Sequence, residues 1–242
     1  MPRYFIEVAY KGTAYSGSQV QLNANSIQAE IEKAMLVYYR KDFILTGSSR
    51  TDTGVHALQN FFHFDADIEV FDASYQLNAI LPPDIVVKRI FPVADDAHCR
   101  FDARSREYRY YTYTSKNPFI EDRAYYFPYT LNIEKMQTAA AEVLQHHDFT
   151  SFSKRNTQVK HFECDIMQSE WVLGEDGLLY KVKANRFLRG MVKGLVGTML
   201  QVGRGKLSID EFRDIILSKD CARADFSAPS HGLFLFAVEF KS

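Results

Sequence analysis

The chain has 242 residues, 46% of them hydrophobic, with 29 Lys and Arg against 30 Asp and Glu. That is enough apolar material for one large core or two lobes, and it excludes a disordered chain. A near-zero balance of charge excludes a generally basic nucleic-acid binder, so any affinity for a polyanion has to come from local clusters.

No apolar run approaches the roughly 18 residues of a membrane span, and the start "MPRYFIEVAYKG" lacks the basic and apolar regions of a leader. A cytoplasmic, membrane-free protein is expected. Cys99, Cys164 and Cys221 are odd in number and widely spaced, so neither a disulfide framework nor a zinc knuckle is indicated. The seven histidines show no ligand spacing, and the adjacent pair His146 and His147 reads as surface near a helix end. No metal is expected.

In chain order, residues 3–10, "RYFIEVAY", alternate in part and predict a strand. "SIQAEIEKAMLVYY" opens on a Ser cap and has apolar residues at helical spacing. "FILTGSSR" and "NFFHFDA" predict strands on either side of a tight loop. "SYQLNAIL" predicts a short helix ended by Pro82 and Pro83. "DIVVKRIFPV" predicts a strand. So does "REYRYYTYT", where aromatic and basic residues alternate as on a strand with one buried and one functional face. "NIEKMQTAAAEVLQ" predicts a helix, and "KHFECDIMQSEWVL" and "LLYKVKAN" a hairpin through "GEDG". "RFLRGMVKGLVGTMLQVG" and "SIDEFRDIILS" predict helices, and "GLFLFAVEF" a last strand. Neighbouring strands mixed with helices favour an α+β fold with a largely antiparallel sheet. The halves look alike and join near 92–100 without a Gly/Ser-rich linker, which predicts lobes 1–97 and 98–242 sharing one sheet.

Two stretches carry candidate chemistry. On a helical wheel over 186–202, Phe187, Leu188, Met191, Val192, Leu195, Val196, Met199 and Leu200 share one arc, while Arg186, Arg189 and Lys193 lie opposite beside Gly190, Gly194 and Gly197. Glycine costs about 1 kcal/mol relative to alanine inside a helix. Three on one side ask for a closely approaching backbone, of protein or of nucleic acid. Further basic clusters are Arg100, Arg104, Arg106 and Arg109, and Lys154, Arg155 and Lys160, with the acidic residues gathered elsewhere, at 65–72 and 210–214. Each cluster alone also fits a solvated face. The second stretch is "GSSRTDTGVHA", residues 47–57. An aspartate can serve as nucleophile or general acid/base, and a nearby arginine keeps it ionised. A turn in which Asp52 caps backbone N–H groups is the plain structural alternative.

That string closely resembles the G-x-x-R-T-D-x-G-V-H-A signature of the tRNA pseudouridine synthase A family. "LNAILPPDIVVKRI", "AHCRFDARSREYRYYTY", "HDFTSF" and "ANRFLRGMVKGLVGTMLQVG" resemble further blocks of that family, in family order and across nearly the whole chain. The resemblance implies a pseudouridine synthase-like α+β fold with a mostly antiparallel central sheet and flanking helices. It implies isomerisation of uridine to pseudouridine at positions 38, 39 and 40 of the tRNA anticodon arm, without a cofactor, by a homodimer. It makes Asp52 the nucleophile and Arg50 an RNA contact that helps flip the target. It sets Tyr108 against the base and makes Lys193 the partner of the aspartate. Arg100, Arg104, Arg106, Arg186 and Arg189 would then contact RNA.

The departures are Lys193 where the family has Arg, Ser18 where Trp is usual, and Ser48, Ser49 and Thr53 around the R-T-D core. Lysine offers a point charge in place of a bidentate fork, and Ser18 alters one RNA or packing contact. These changes leave open a paralogue with a shifted target or a non-catalytic RNA-binding protein. A nucleoside hydrolase or glycosidase would want a second positioned carboxyl group, and no Asp or Glu in the matched blocks is an obvious partner.

Overall fold

The computed structural model describes residues 1–155 and 159–240. The chain divides into two units, Met1–Arg104 with Phe234–Ser242, and Ser105–Leu233. The division therefore falls at 104/105 where the sequence suggested 97/98, and the last strand returns to the first unit. Among the described residues the strand ladders of the two units are mostly antiparallel and are accompanied by five α-helices, an α+β arrangement.

In the first unit, β1 (Arg3–Tyr10) lies between β3 (His56–Asp65) and β4 (Ile85–Val93), antiparallel to both. β3 also takes the two-residue β2 (Thr46–Gly47) and, in parallel, β9 (Leu233–Phe240). Helix α1 (Ile27–Tyr39) starts where the Ser26 hydroxyl accepts the Ala29 N–H at 3.3 Å, and it buries Ile27, Ile31, Ala34 and Met35 at helical spacing. Helix α2 (Ser74–Ile80) is held near β4 by Asn78, whose side chain takes both the N–H and the C=O of Val87.

The strand predicted over "FILTGSSR" shrinks to β2. Its alternation is real: Phe43 and Leu45 are buried while Ile44 is exposed. However, the Leu45 N–H donates to Glu32 and the Leu45 carbonyl accepts from Gln28, both on α1. Helix side chains take the backbone groups that a ladder would use. β3 begins earlier than expected, at His56.

In the second unit, β5 (Ala103–Tyr113), β8 (Leu178–Ala184) and β7 (Ile166–Leu173) form an antiparallel set in that order, and β6 (Tyr125–Tyr126) pairs in parallel with β5. Helices α3 (Ile133–Val143), α4 (Met191–Gly203) and α5 (Ile209–Ser218) complete it. The β7–β8 hairpin closes as predicted, with the Gly174 N–H on the Gly177 carbonyl at 2.7 Å. β7 starts six residues later than the predicted strand, because Cys164 bonds the His147 backbone and Glu163 bridges Asp148.

The predicted basic helix is corrected. α4 starts at Met191, after Gly190 with φ +74°, so Arg186 and Arg189 lie in the preceding loop and share no helical face with Lys193. Within α4 every residue is buried except Lys193 and Gln201. The glycines face protein: a Cβ on Gly197 would lie 2.2 Å from the Asp225 carbonyl, and one on Gly194 2.9 Å from the Phe226 ring.

One buried histidine makes the first unit sensitive to pH. His63 on β3 accepts the Cys99 N–H at 3.4 Å. Burial, reinforced by the charges of His98 and Arg3, pushes its imidazole down to about 4. The unfolded chain takes up this proton near 6.5, so stability is full above that pH and is lost as pH falls toward 4. Thermal unfolding followed from pH 7 to pH 4 should show a steeper loss for wild type than for His63→Gln; equal slopes would remove His63 as the cause.

Candidate active site

The loop at 47–55 is built around its middle residue. Thr51 is buried, whereas Arg50 is exposed and Asp52 part-exposed. Three bonds hold Thr51. Its N–H donates to Ser18 Oγ at 2.9 Å, its carbonyl accepts the Ser18 N–H at 3.1 Å, and its hydroxyl pairs with Tyr10 OH at 2.8 Å. Asn60, fully buried, donates to Tyr10 OH and to the Ser49 carbonyl, while its own carbonyl oxygen accepts the Ser48 hydroxyl. Burial raises the Tyr10 phenol and keeps it neutral. Gly17, at φ +101°, lets the Ser18 segment come close, since a Cβ there would lie 2.8 Å from the Thr51 carbonyl.

Beyond Thr51 the chain turns back at once. The Val55 N–H reaches the Asp52 carbonyl at 3.1 Å, with Gly54 at φ +77°. This is the turn class whose third residue needs a positive φ. The arrangement answers why small residues precede Arg50: Ser48 feeds the buried network, and at Gly47 a side chain would press on Phe62.

Ser18, flagged as a departure, is thus a buried clamp on this loop, 2% exposed. Ser18→Ala strands the Thr51 N–H without its acceptor, which costs about 1–3 kcal/mol. Amide exchange at Thr51 should accelerate and the melting temperature fall, with Ser18→Thr retaining most of the protection; unchanged exchange in Ser18→Ala would show that the clamp is idle.

Arg100 belongs to the same unit, on the turn before β5, and Arg104 is exposed on that strand's second position. Ser49, Arg50, His98, Arg100 and Phe101 contribute to the wall of one cavity of about 180 Å³. Reasoning from sequence picked out the arginines and named Ser49 only as a departure, and it missed His98 and Phe101, although "AHCRF" lies inside a quoted block.

In the second unit, Tyr108 sits on β5 on the buried parity of the strand, opposite Val182, with its ring edge-on to Phe187 at 5.0 Å. Arg106 has the same parity and donates to the Asn185 carbonyl at 2.9 Å. Arg186 is part-exposed and Arg189 exposed, and the Arg189 carbonyl accepts the Lys154 N–H. Residues 156–158 of the basic stretch "SKRNTQVK" lie outside the described residues.

Lys193 stands in the first turn of α4 and donates to Ser230 Oγ at 3.2 Å. A cation at a helix N-terminus opposes the macrodipole, and here it is part-buried on a helix that is otherwise core. Burial, with some help from the Lys193 charge, keeps His231 below the usual imidazole value. Nothing in the sequence pointed to Ser230, 37 residues away. Among the described residues no three His, Cys, Asp or Glu side chains are grouped to hold a metal, and no helix is long and apolar enough to cross a membrane.

The described chemistry therefore comprises a carboxylate on a rigid loop, a buried-parity tyrosine and a lysine placed against a helix dipole. The family described as tRNA pseudouridine synthase matches residues 139–241. Over nearly its whole length the chain is similar to proteins called tRNA pseudouridine synthase A. The one from Bacteroides fragilis is 46% identical, covering 98% of this chain and 96% of the relative. That from Bacteroides thetaiotaomicron is 44% identical, with 99% and 91% covered. That from Bacillus subtilis is 40% identical, with 96% and 97% covered. Likeness at this level and coverage means that the chain belongs to the tRNA pseudouridine synthase A family, a family of isomerases.

Proposed function

We propose that this protein isomerises uridine to pseudouridine in the anticodon arm of tRNA, with Asp52 as the nucleophile on a flipped-out nucleotide. The observation that carries the reading is the R-T-D loop. Thr51 is fastened inside by Ser18 and Tyr10, so that Arg50 and Asp52 are presented on either side of a rigid point. Such preorganisation is what an attacking group needs, because it removes the cost of orienting it during reaction.

The reaction breaks the N1–C1′ glycosidic bond and forms a C5–C1′ bond; N1 keeps the electron pair and takes up a proton, and the hydrogen on C5 leaves as a proton. Atoms and electrons balance without a redox partner, so the reading calls for no cofactor. Asp52 attacks either C1′ or C6, holds that part covalently while the uracil turns, and is released once the C5–C1′ bond has formed. A base within a stem must first be extruded, and Arg50 fits the space it vacates. Tyr108 is assigned the face of the base. Lys193 is assigned the role of the cation that keeps the carboxylate ionised. The exposed arginines Arg100, Arg104 and Arg189, with the part-exposed Arg186 and Arg106, are assigned to phosphate, so affinity should fall with salt. A cytoplasmic homodimer completes the proposal.

Tritium release from tRNA carrying 5-tritiated uridine tests the chemistry, because forming the C5 bond expels that hydrogen. Wild type should release it. Asp52→Asn should be slower by about a thousandfold or more while binding tRNA within several-fold. A variant that still makes pseudouridine would sink the nucleophile assignment, and tRNA binding with no release by wild type would favour a non-catalytic RNA-binding protein.

Lys193 is tested by exchanging its charge and its shape separately. Lys193→Met should lower kcat/KM for tritium release strongly, whereas Lys193→Arg, which keeps the cation, should retain most of it; an unchanged rate in Lys193→Met would deny the role.

A further inference from the structure

The cavity beside the R-T-D loop has features that the isomerisation step leaves unexplained. Its volume is about 180 Å³. A single water needs about 10–15 Å³ and drug-sized ligands about 300 Å³ or more, so it suits one ring and its attached sugar. Its wall includes two cations, Arg50 and Arg100, and no Asp or Glu among the described residues. The Ser49 hydroxyl, also in the wall, is buried without a hydrogen-bond partner.

At the same cavity stands Phe101, 74% exposed. The turn that carries it is not loose. His98 Nδ1 accepts the N–H groups of Arg100 and Phe101 at 3.2 and 3.4 Å, and Asp102 accepts the His98 N–H at 2.6 Å. The Cys99 thiol donates to the Thr46 carbonyl at 3.1 Å, tying the turn to β2. The His98 ring supports Phe101 at 4.1 Å between centroids. A rigid, solvent-facing aromatic beside arginines is how proteins hold a base of single-stranded nucleic acid, because every base has a face to stack.

We propose that this cavity is a subsite for one RNA nucleotide adjacent to the target uridine, with its base on Phe101 and its phosphate held by Arg100. The proposal rests on the reading of the chain as a tRNA enzyme, since Arg50 is two residues from Asp52. Extruding one nucleotide unstacks its neighbour, and the subsite gives that neighbour a replacement surface.

The test is a double-mutant cycle on binding. The probes are tRNA molecules carrying a single abasic residue on one side or the other of the target uridine, alongside intact tRNA. The proteins are the Asp52→Asn form, which leaves the RNA unchanged, and the same form with Phe101→Ala or Phe101→Tyr. Phe101→Ala should weaken binding of intact tRNA about tenfold, and Phe101→Tyr should retain it. One of the two abasic tRNAs should lose a similar factor, and combining it with Phe101→Ala should add almost nothing. Losses that multiply, or two abasic tRNAs that bind like the intact one, would overturn the subsite. The abasic comparison needs no change at Phe101, so it stands even if that variant folds poorly. Tritium release by wild type reports separately. Release with multiplying losses would remove only the subsite, whereas a coupled cycle without release would remove only the catalytic reading.

Discussion

The R-T-D loop depends on one buried residue, Thr51, being held on three sides. Ser18 takes its N–H and its carbonyl, and Tyr10 takes its hydroxyl. A loop between two strands normally gains little from burial, because its backbone polar groups need partners. Here the partners are supplied from residues 10, 18 and 60, so the loop becomes as fixed as the sheet. The price of that rigidity is a fully buried polar network, which stabilises only when each member is satisfied. Ser49 Oγ is the member the protein leaves unsatisfied among the described residues, and it sits at the cavity rather than in the packed interior.

The second unit shows the opposite arrangement. α4 is packed so closely that Gly194 and Gly197 have no room for a methyl group, and its surroundings are apolar rings and backbone. Into that helix, at the end where the dipole disfavours it, the chain sets Lys193. A position that breaks a local rule in this way tends to be a working one. The Ser230 hydroxyl accepts from this part-buried ammonium at 3.2 Å.

Most of the quoted blocks serve architecture. In "HDFTSF", Phe149 and Phe152 are fully buried and the Ser151 hydroxyl bonds the Ile215 carbonyl at 2.6 Å. In "LNAILPPDIVVKRI", Asn78 satisfies both backbone groups of Val87. The motifs that made the family legible therefore report mainly on how the site is supported, and only a few of their residues are candidates to touch RNA. With a formal net charge of −1, that contact has to be made by local groups such as Arg50 and Arg100, not by the molecule's field.

The sequence by itself determined the α+β class, the helices over residues 27–39, 133–143 and 209–218, and the β7–β8 hairpin, because capping residues and periodicity are local signals. It also determined the family, since the blocks run in order along the chain. Tertiary structure decided the rest. The strand over 43–50 was lost to α1 side chains 13 and 17 residues away in sequence. The start of α4 was decided by Gly190's positive φ and not by the apolar arc, which continues past it. Ser18 became a clamp, and Phe101 joined Arg50 at one cavity, through contacts between segments tens of residues apart. Periodicity records what a residue's neighbours on the chain require; it carries no information about which distant backbone group a serine will meet.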